Sequence, residues 1–261
     1  MTNQKIPLGE GEEAPYFVFT HLEYPEKAKR PCVVVIPGGG YTMVCKDREG
    51  ERIALAYSAA GFHTAILEYT VGENTYPKAI MELAETIKTI RAHAEEWDVD
   101  PCRIAVTGFS AGAHLAASIA TLWKDATLFS PEEIRTRAVR PDAQIPIYGV
   151  LEKDECIDLY AGWDPGTIEK LDLVKRVDAD TPPAFMAHTA ADQRVPVWNS
   201  LHYAEALDKS GVPFELHVFP SLQHGMSLAS DETIWARPVL KREYPWMRLS
   251  IDWLCETFGL L

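Results

Sequence analysis

The sequence has few cysteines, and they are not arranged as a framework. There are five, an odd number, with no C-x-x-C pair among them. A secreted disulfide scaffold pairs its cysteines, and a zinc site groups them at close spacing. Scattered single thiols exclude both patterns and predict reduced cysteines in a cytoplasmic protein. They are Cys32, Cys45, Cys102, Cys156 and Cys255.

Basic residues and long hydrophobic runs are also scarce. The 25 Lys and Arg residues are outnumbered by 38 Asp and Glu residues, for a net charge of −13. Nucleic acids and anionic membranes attract clustered basic side chains, so we expect neither as a partner. No apolar run reaches the length of a membrane span, and residues 1–15 lack the apolar centre of a signal peptide. The expected location is therefore the cytoplasm, with a homo-oligomer possible.

Short apolar runs that read as strands alternate with helical patterns along the 261 residues, without repeats or low-complexity linkers. This alternation predicts an α/β fold, a mostly parallel sheet with helices on both faces, in a single domain over residues 1–261. Residues 151–182 are irregular, and such a long loop predicts a lid or substrate-binding segment. The predicted strands are 16–19 at an antiparallel edge, 32–36, 63–67, 103–107, 184–188 and 214–219, with an apolar run at 143–150; the main predicted helices are 51–60, 77–97, 113–117, 199–209 and 248–258.

One segment, Gly108-Phe109-Ser110-Ala111-Gly112, combines a serine with glycine two positions on either side. The apolar run 103–107 precedes it and an Ala- and Leu-rich stretch follows, so the serine lies between a strand and a helix. This is the nucleophile-elbow pattern. The glycines are required because strand and helix pass so closely that side chains there would collide. The pattern predicts Ser110 as a nucleophile.

A serine nucleophile needs a histidine to accept its proton and a carboxylate to orient that histidine. In an open α/β sheet these groups gather where strands end. Asp192 follows the predicted strand 184–188, and His224 follows the predicted strand 214–219. The order Ser110, Asp192, His224 is the one found in α/β hydrolases.

Other histidines and acids compete for these roles. His114 is expected to point into the packing behind the elbow, and His188 lies inside a strand, so both are expected to be structural. Asp178 and Asp180 precede the strand at 184–188 and so belong at its wrong end.

Attack on an ester leaves negative charge on the carbonyl oxygen, which backbone N–H groups can stabilise. One donor is expected from Ala111, the residue after the nucleophile. The others are expected from the glycine loop after the strand 32–36, at Gly39 and Gly40, because glycine lets the backbone approach a ligand closely. A phosphate-binding loop is the alternative for these glycines, but no G-K-[ST] follows them.

Together these motifs resemble the α/β-hydrolase serine esterases of the acetyl esterase and acetylxylan-esterase-like group. The resemblance is carried by the Pro37-to-Tyr41 loop, the stretch from Gly108 to Leu115, the segment from Asp192 to Pro196 and the segment from Phe219 to Gly225. These are relatives of the hormone-sensitive-lipase-like carboxylesterases. The resemblance implies removal of short acyl groups, often acetyl from sugars, by a Ser-Asp-His triad, with no metal and no cofactor. The implied partner is a small-molecule ester, such as an acetylated oligosaccharide.

Two alternatives remain open at this stage. An arylformamidase or other amide hydrolase would use the same triad, and an inactive hydrolase fold could serve only for binding. Trp163, Trp198 and Trp235 are candidates to line a sugar site, although packing is the expected role of each.

Overall fold

A computed structural model describes residues 1–23, 28–73, 75–153, 163–230 and 244–260. Among them, no helix combines the length and the apolar character that crossing a membrane requires. The strands are β1 Thr2–Pro7, β2 Tyr16–His21, β3 Arg30–Ile36, β4 His63–Glu68, β5 Val99–Phe109, β6 Ala143–Ile147, β7 Ala184–Thr189 and β8 Phe214–Phe219. The helices are α1 Lys46–Glu49, α2 Glu51–Ala59, α3 Thr75–Ala92, α4 Ala111–Leu122, α5 Pro131–Thr136, α6 Pro165–Lys170, α7 Trp198–Lys209 and α8 Trp246–Thr257, with a 3₁₀ turn at Leu173–Arg176.

The eight strands form one sheet in the order β1-β2-β4-β3-β5-β6-β7-β8. The six strands from β3 to β8 run parallel, whereas β2 is antiparallel to both β4 and β1. Helices bury both faces of the inner strands β3, β4, β6 and β7, which is why those strands are rich in apolar residues, whereas the edge strand β8 stays partly exposed. Because these strands are parallel, their carboxyl ends lie at the same edge of the sheet.

Alternate residues of each central strand face opposite layers of helices. In β3, Val34 packs in the core beneath α3 and α4, while Val33 and Val35 pack in the core beneath α2 and α8. Every second residue thus anchors a different helix layer. A third cluster holds α7 against β7, where Met186 meets Tyr203.

Several predicted boundaries change in the structure. The strand at 16–19 was expected at the sheet edge, but β2 lies inside it, because the polar segment Thr2–Pro7 pairs with β2 as the true edge strand. The helix predicted over 77–97 is α3, which ends at Ala92, so that Trp97 lies in the turn that follows. The short helices α1 and α5 were not predicted.

Only part of the predicted lid segment 151–182 is described. It contains α6 and the 3₁₀ turn, and residues 154–162 lie outside the described residues. The lid therefore stays a prediction.

Candidate active site

Ser110 lies in the turn between β5 and α4, in a backbone conformation that L-residues rarely adopt. Its φ is 54° and its ψ is −117°. Such a conformation costs on the order of 1–3 kcal/mol and persists only where the surroundings enforce it. The amide of Ser110 donates to the carbonyl of Ile147 at 3.1 Å, and its own carbonyl accepts from the amide of His114 at 3.0 Å. The strand on one side and the helix on the other therefore hold the turn.

The two glycines flanking the serine are sterically required, as the sequence predicted. A Cβ on Gly108 would lie 2.1 Å from the carbonyl oxygen of Gly112. A Cβ on Gly112 would lie 2.2 Å from the carbonyl oxygen of Ile36. Real Cβ atoms do not approach backbone oxygens so closely, so only glycine lets α4 start directly above β3 and β5.

The three side chains predicted to act together do lie together, although 114 and 32 residues of chain separate them. The His224 Nε2 is 2.8 Å from the Ser110 Oγ, and the His224 Nδ1 is 2.7 Å from the Asp192 Oδ2. They extend from the ends of β5, β7 and β8. With Nδ1–H donated to the carboxylate, Nε2 is free to accept the serine proton.

Asp192 is held as an anion. Its Oδ1 accepts the backbone N–H groups of Arg194 and Val195, each at 2.9 Å. Burial acts to raise the pKa of Asp192, but hydrogen bonding with His188 and His224, the charge of His224 and the Val195 amide outweigh it and hold that pKa below its usual range. The carboxylate therefore stays ionised while it orients His224.

His188 supports this turn and does not face the serine. It is fully buried, with Nε2 at 2.9 Å from the carbonyl oxygen of Val195 and Nδ1 at 2.8 Å from the Ser200 Oγ. Its position agrees with the structural role predicted from the sequence. His188 therefore braces the backbone that presents Asp192.

His114 is likewise buried among neighbours. Its Nδ1 lies 2.7 Å from the hydroxyl oxygen of Tyr41. Burial lowers the pKa of His114 to about 4, and a hydrogen bond to the Leu171 backbone opposes that shift only in part. The imidazole is thus neutral, and it ties α4 to the glycine loop through Tyr41.

The competing acids are elsewhere. Asp178 and Asp180 both pair with Lys124, at 2.7 and 2.9 Å, and the side chain of each is about half exposed. They precede β7, at the sheet edge opposite the one that carries Asp192.

The glycine loop after β3 lies against the serine. Gly39 and Gly40 have φ values of +133° and +62°, and a Cβ on Gly38 would lie 3.2 Å from the Ser110 Cβ. The amide of Gly38 is engaged by the Glu49 Oε2 at 2.8 Å. The amides of Gly39, Gly40 and Ala111 remain the candidates to face a substrate oxygen.

Glu49 is a component that the sequence did not predict. It is 2 % exposed, and besides Gly38 it accepts from the hydroxyl of Tyr148 at 2.9 Å. The Tyr148 ring meets the imidazole of His224 edge-on, with centroids 5.3 Å apart. Burial raises the pKa of Glu49, and the Gly38 amide, the Arg48 charge, Tyr148 and His224 oppose that shift. No spacing rule identifies this residue, because its partners are distant in the sequence.

The candidate tryptophans have different environments. Trp163 is half-buried, with its ring centroid 5.6 Å from that of Tyr41. Trp198 is 54 % exposed at the start of α7, so the expectation that it packs internally is wrong. Trp235 lies outside the described residues.

Comparison with known sequences yields one family and several esterases. A family model described as BD-FAE matches residues 21–164. The endo-1,4-beta-xylanase B of Butyrivibrio fibrisolvens is 33% identical over 82% of this chain and 35% of its own length. The acetylxylan esterase of Xylanibacter ruminicola is 29% identical over 79% of this chain and 43% of its own. The chain thus spans between a third and a half of the length of these curated relatives.

Solved structures cover the whole chain. The acetyl ester-xyloside bifunctional hydrolase of Caldicellulosiruptor lactoaceticus superimposes with a TM-score of 0.83 at 33% identity, over 99% of this chain and 97% of its own. The carboxylesterase Cest-2923 of Lactobacillus plantarum gives a TM-score of 0.78 at 26% identity, over 100% and 99%. With the mostly parallel eight-stranded sheet, these similarities confirm the predicted α/β-hydrolase fold.

Proposed function

This chain belongs to the BD-FAE family, and from that membership and the geometry around Ser110 we propose that it is a serine carboxylester hydrolase that removes short acyl groups through an acyl-enzyme intermediate. The observation that carries the proposal is the position of His224, whose two ring nitrogens lie 2.8 Å from the serine oxygen and 2.7 Å from the aspartate oxygen. A histidine with both contacts can remove the serine proton and remain oriented while it holds that proton.

In the first half of the reaction, the Ser110 Oγ attacks the carbonyl carbon of the ester while the Nε2 of His224 takes the hydroxyl proton. Asp192 stabilises the imidazolium that results. The imidazolium then gives the proton to the leaving alcohol oxygen, the carbon–oxygen bond breaks and the acyl group remains on Ser110.

In the second half, water replaces the alcohol. The water oxygen attacks the acyl carbon while His224 takes one proton from the water. His224 then gives that proton to the Ser110 Oγ as the carboxylic acid leaves. All proton transfers use the same ring nitrogen, so neither half requires the histidine to change partners with Asp192.

Negative charge develops on the carbonyl oxygen in both halves. We assign the amides of Gly39, Gly40 and Ala111 to stabilise it. Ala111 follows the nucleophile, and the glycine loop lies beside the serine, where its amides can approach the substrate without side chains intervening. One such donor is typically worth ~10²–10³ in rate.

For the substrate we propose acetyl esters of xylan-type oligosaccharides, with the segment 151–182 bordering the binding site. The support is chemical similarity among relatives: one is named an acetylxylan esterase, one an acetyl ester-xyloside bifunctional hydrolase and one, from Salmonella paratyphi B, an acetyl esterase. The shared chemistry of these names is removal of an acetyl group.

Ser110→Ala tests the proposal. Turnover of p-nitrophenyl acetate and release of acetate from acetylated xylo-oligosaccharides should fall by roughly 10⁴–10⁶-fold, because the nucleophile is lost. A fluorophosphonate probe should label the natural protein and not the variant.

Ser118→Ala is the matched control. Ser118 is a buried serine of the same region of α4, and its hydroxyl donates to the His114 carbonyl, so its loss should leave turnover unchanged. Wild-type rates in Ser110→Ala would refute the proposal. Faster cleavage of a formylated aryl amine than of any acetyl ester would replace the ester assignment with an amide one.

A further inference from the structure

A buried hydrogen-bonded chain connects the glycine loop to the loop that carries His224, and Glu49 is its centre. One carboxylate oxygen accepts the amide of Gly38, and the other accepts the hydroxyl of Tyr148. The Tyr148 oxygen in turn accepts the amide of Ser227 at 3.1 Å, three residues after His224. Both side chains along this path, Glu49 and Tyr148, are at most 2 % exposed.

The first arm of this chain fixes the candidate oxyanion loop. Gly38 lies so close to the serine that a Cβ on it would be 2.5 Å from the Phe109 carbonyl oxygen and 3.2 Å from the Ser110 Cβ. By engaging the Gly38 amide, Glu49 sets the orientation of the peptide that precedes Gly39 and Gly40. The carboxylate therefore anchors the peptide from which the Gly39 and Gly40 amides continue.

The second arm fixes the histidine loop. Ser227 has a φ of 47° and is fully buried, and its carbonyl accepts from the indole Nε1 of Trp246 at 2.7 Å. Its hydroxyl donates to the carbonyl of Arg48, the residue before Glu49. Helix α1 thus binds Ser227 directly through Arg48 and indirectly through Glu49 and Tyr148, and the Tyr148 ring also contacts the His224 imidazole.

We infer that Glu49 is a positioning residue that holds the oxyanion loop and the histidine loop in register through one buried carboxylate. The inference rests on the proposed esterase function and extends it. A carboxylate suits this position because both of its oxygens accept, which lets it take the Gly38 amide and the Tyr148 hydroxyl at once. A carboxamide has only one oxygen, so it must present an NH₂ group to one of the two donors.

Glu49→Gln is the test, with Tyr148→Phe as a second variant that removes only the hydroxyl bridge. Fluorophosphonate titration counts the assembled sites in each preparation, and kcat for p-nitrophenyl acetate is expressed per titrated site. We expect kcat per site to fall about 10–100-fold in Glu49→Gln, because small displacements of reacting groups have effects of that size. KM should change less than twofold. Tyr148→Phe should lose less, and the double variant should resemble Glu49→Gln, because both changes break one chain.

Glu82→Gln is the matched control. Glu82 also accepts a backbone amide, that of Thr70 at 2.7 Å, but it lies on α3 and both of its carboxylate oxygens bond to Thr70, so kcat per site in Glu82→Gln should stay at the wild-type value. A purely structural role for Glu49 would lower the titrated fraction and leave kcat per site unchanged. That result in Glu49→Gln, or in Tyr148→Phe if Glu49→Gln does not fold, overturns the inference. Absence of turnover in the wild type overturns the esterase function itself.

Discussion

The pockets around Asp192 and Glu49 each bury a carboxylate that experiences the charge of His224, yet they shift its pKa in opposite directions. Asp192 receives two backbone amides and the His224 Nδ1–H, whereas Glu49 receives one amide and a tyrosine hydroxyl. Burial disfavours the anion in both pockets. The number and strength of the donors decide whether the anion is nevertheless retained.

The two pockets also differ in how the chain builds them. The amides that Asp192 accepts belong to its own turn, two and three residues ahead. Glu49 draws its donors from Gly38, 11 residues away, and from Tyr148, 99 residues away. Asp192 therefore occupies a locally encoded turn, and Glu49 occupies a junction that exists only in the folded protein.

Of the two carboxylate pockets, the one around Asp192 should have the larger effect on kcat. Asp192→Asn should lower kcat by roughly 10⁴-fold, because a carboxamide stabilises neither the correct tautomer nor the imidazolium. This exceeds the 10–100-fold loss expected for Glu49→Gln, as befits a group that touches the reacting histidine. Steady-state rates on p-nitrophenyl acetate provide the measurement.

Asp180→Asn is the control for that experiment, since Asp180 pairs with Lys124 at the opposite sheet edge and should be silent. If Asp192→Asn kept more than a tenth of wild-type kcat, Asp192 would contribute no more to turnover than Glu49, which would contradict the difference we infer between the two pockets.

The second prediction concerns acid stability. The folded-state pKa of Asp192 is lowered, so its stabilisation is present above its unfolded pKa of about 3.9 and is lost as the pH falls. The folded-state pKa of Glu49 is raised, so its contribution is present below about 4.3 and is lost as the pH rises through the folded value. Urea unfolding from pH 3 to 7 measures both.

Relative to wild type, the unfolding free energy of Asp192→Asn should decline with rising pH, and that of Glu49→Gln should increase. Each slope is limited to about 1.4 kcal/mol per pH unit, the value for one proton. Ser118→Ala, which changes no titrating group, should give a flat difference. Slopes of the same sign for both carboxylate variants would contradict the opposite pKa shifts of Asp192 and Glu49.

The smallest effect is expected outside both pockets. Trp198 is exposed on the helix that follows the Asp192 turn, with its ring near that of His202, and could stack against a sugar ring. Trp198→Ala should raise KM for acetylated xylo-oligosaccharides about fivefold, equivalent to about 1 kcal/mol. KM for p-nitrophenyl acetate should not change.

Phe214→Ala is its matched control, because Phe214 is an exposed aromatic residue at the start of β8, away from the strand ends that carry the site. Equal KM changes on both substrates in Trp198→Ala would assign that residue to stability rather than to sugar binding.

The sequence predicted the residues of the Asp192 pocket but not those of the Glu49 pocket. Ser110, Asp192 and His224 each follow a strand predicted from the sequence, and the ends of parallel strands lie together by topology alone. The steric demand at Gly108 and Gly112 was likewise predictable, because it depends on the turn itself.

The elements that were not predicted depend on tertiary contacts, which produce no hydrophobic periodicity in the sequence. Helix α1 consists of Lys-Asp-Arg-Glu, which has no apolar stripe, so neither the helix nor the burial of Glu49 could be inferred. Helix α5 is six residues long, and the local signals for it were its capping box at Ser130 and Glu133 and the proline at its first position. The strand β1 was not predicted because its side chains are almost all exposed, so it lacks the alternation of apolar and polar residues that identifies a strand.

That polar outer strand has a consequence for solubility. Without it, the hydrogen-bonding groups of β2, flanked by the apolar side chains Phe17 and Phe19, would form an open template on which another chain could add. Instead the exposed border is Thr-Asn-Gln-Lys, with Lys5 lying over the Tyr16 ring and Pro7 closing the strand with a residue that cannot donate. The polar strand β1 thus disfavours the addition of another chain to β2, at the side of the sheet opposite to β7 and β8.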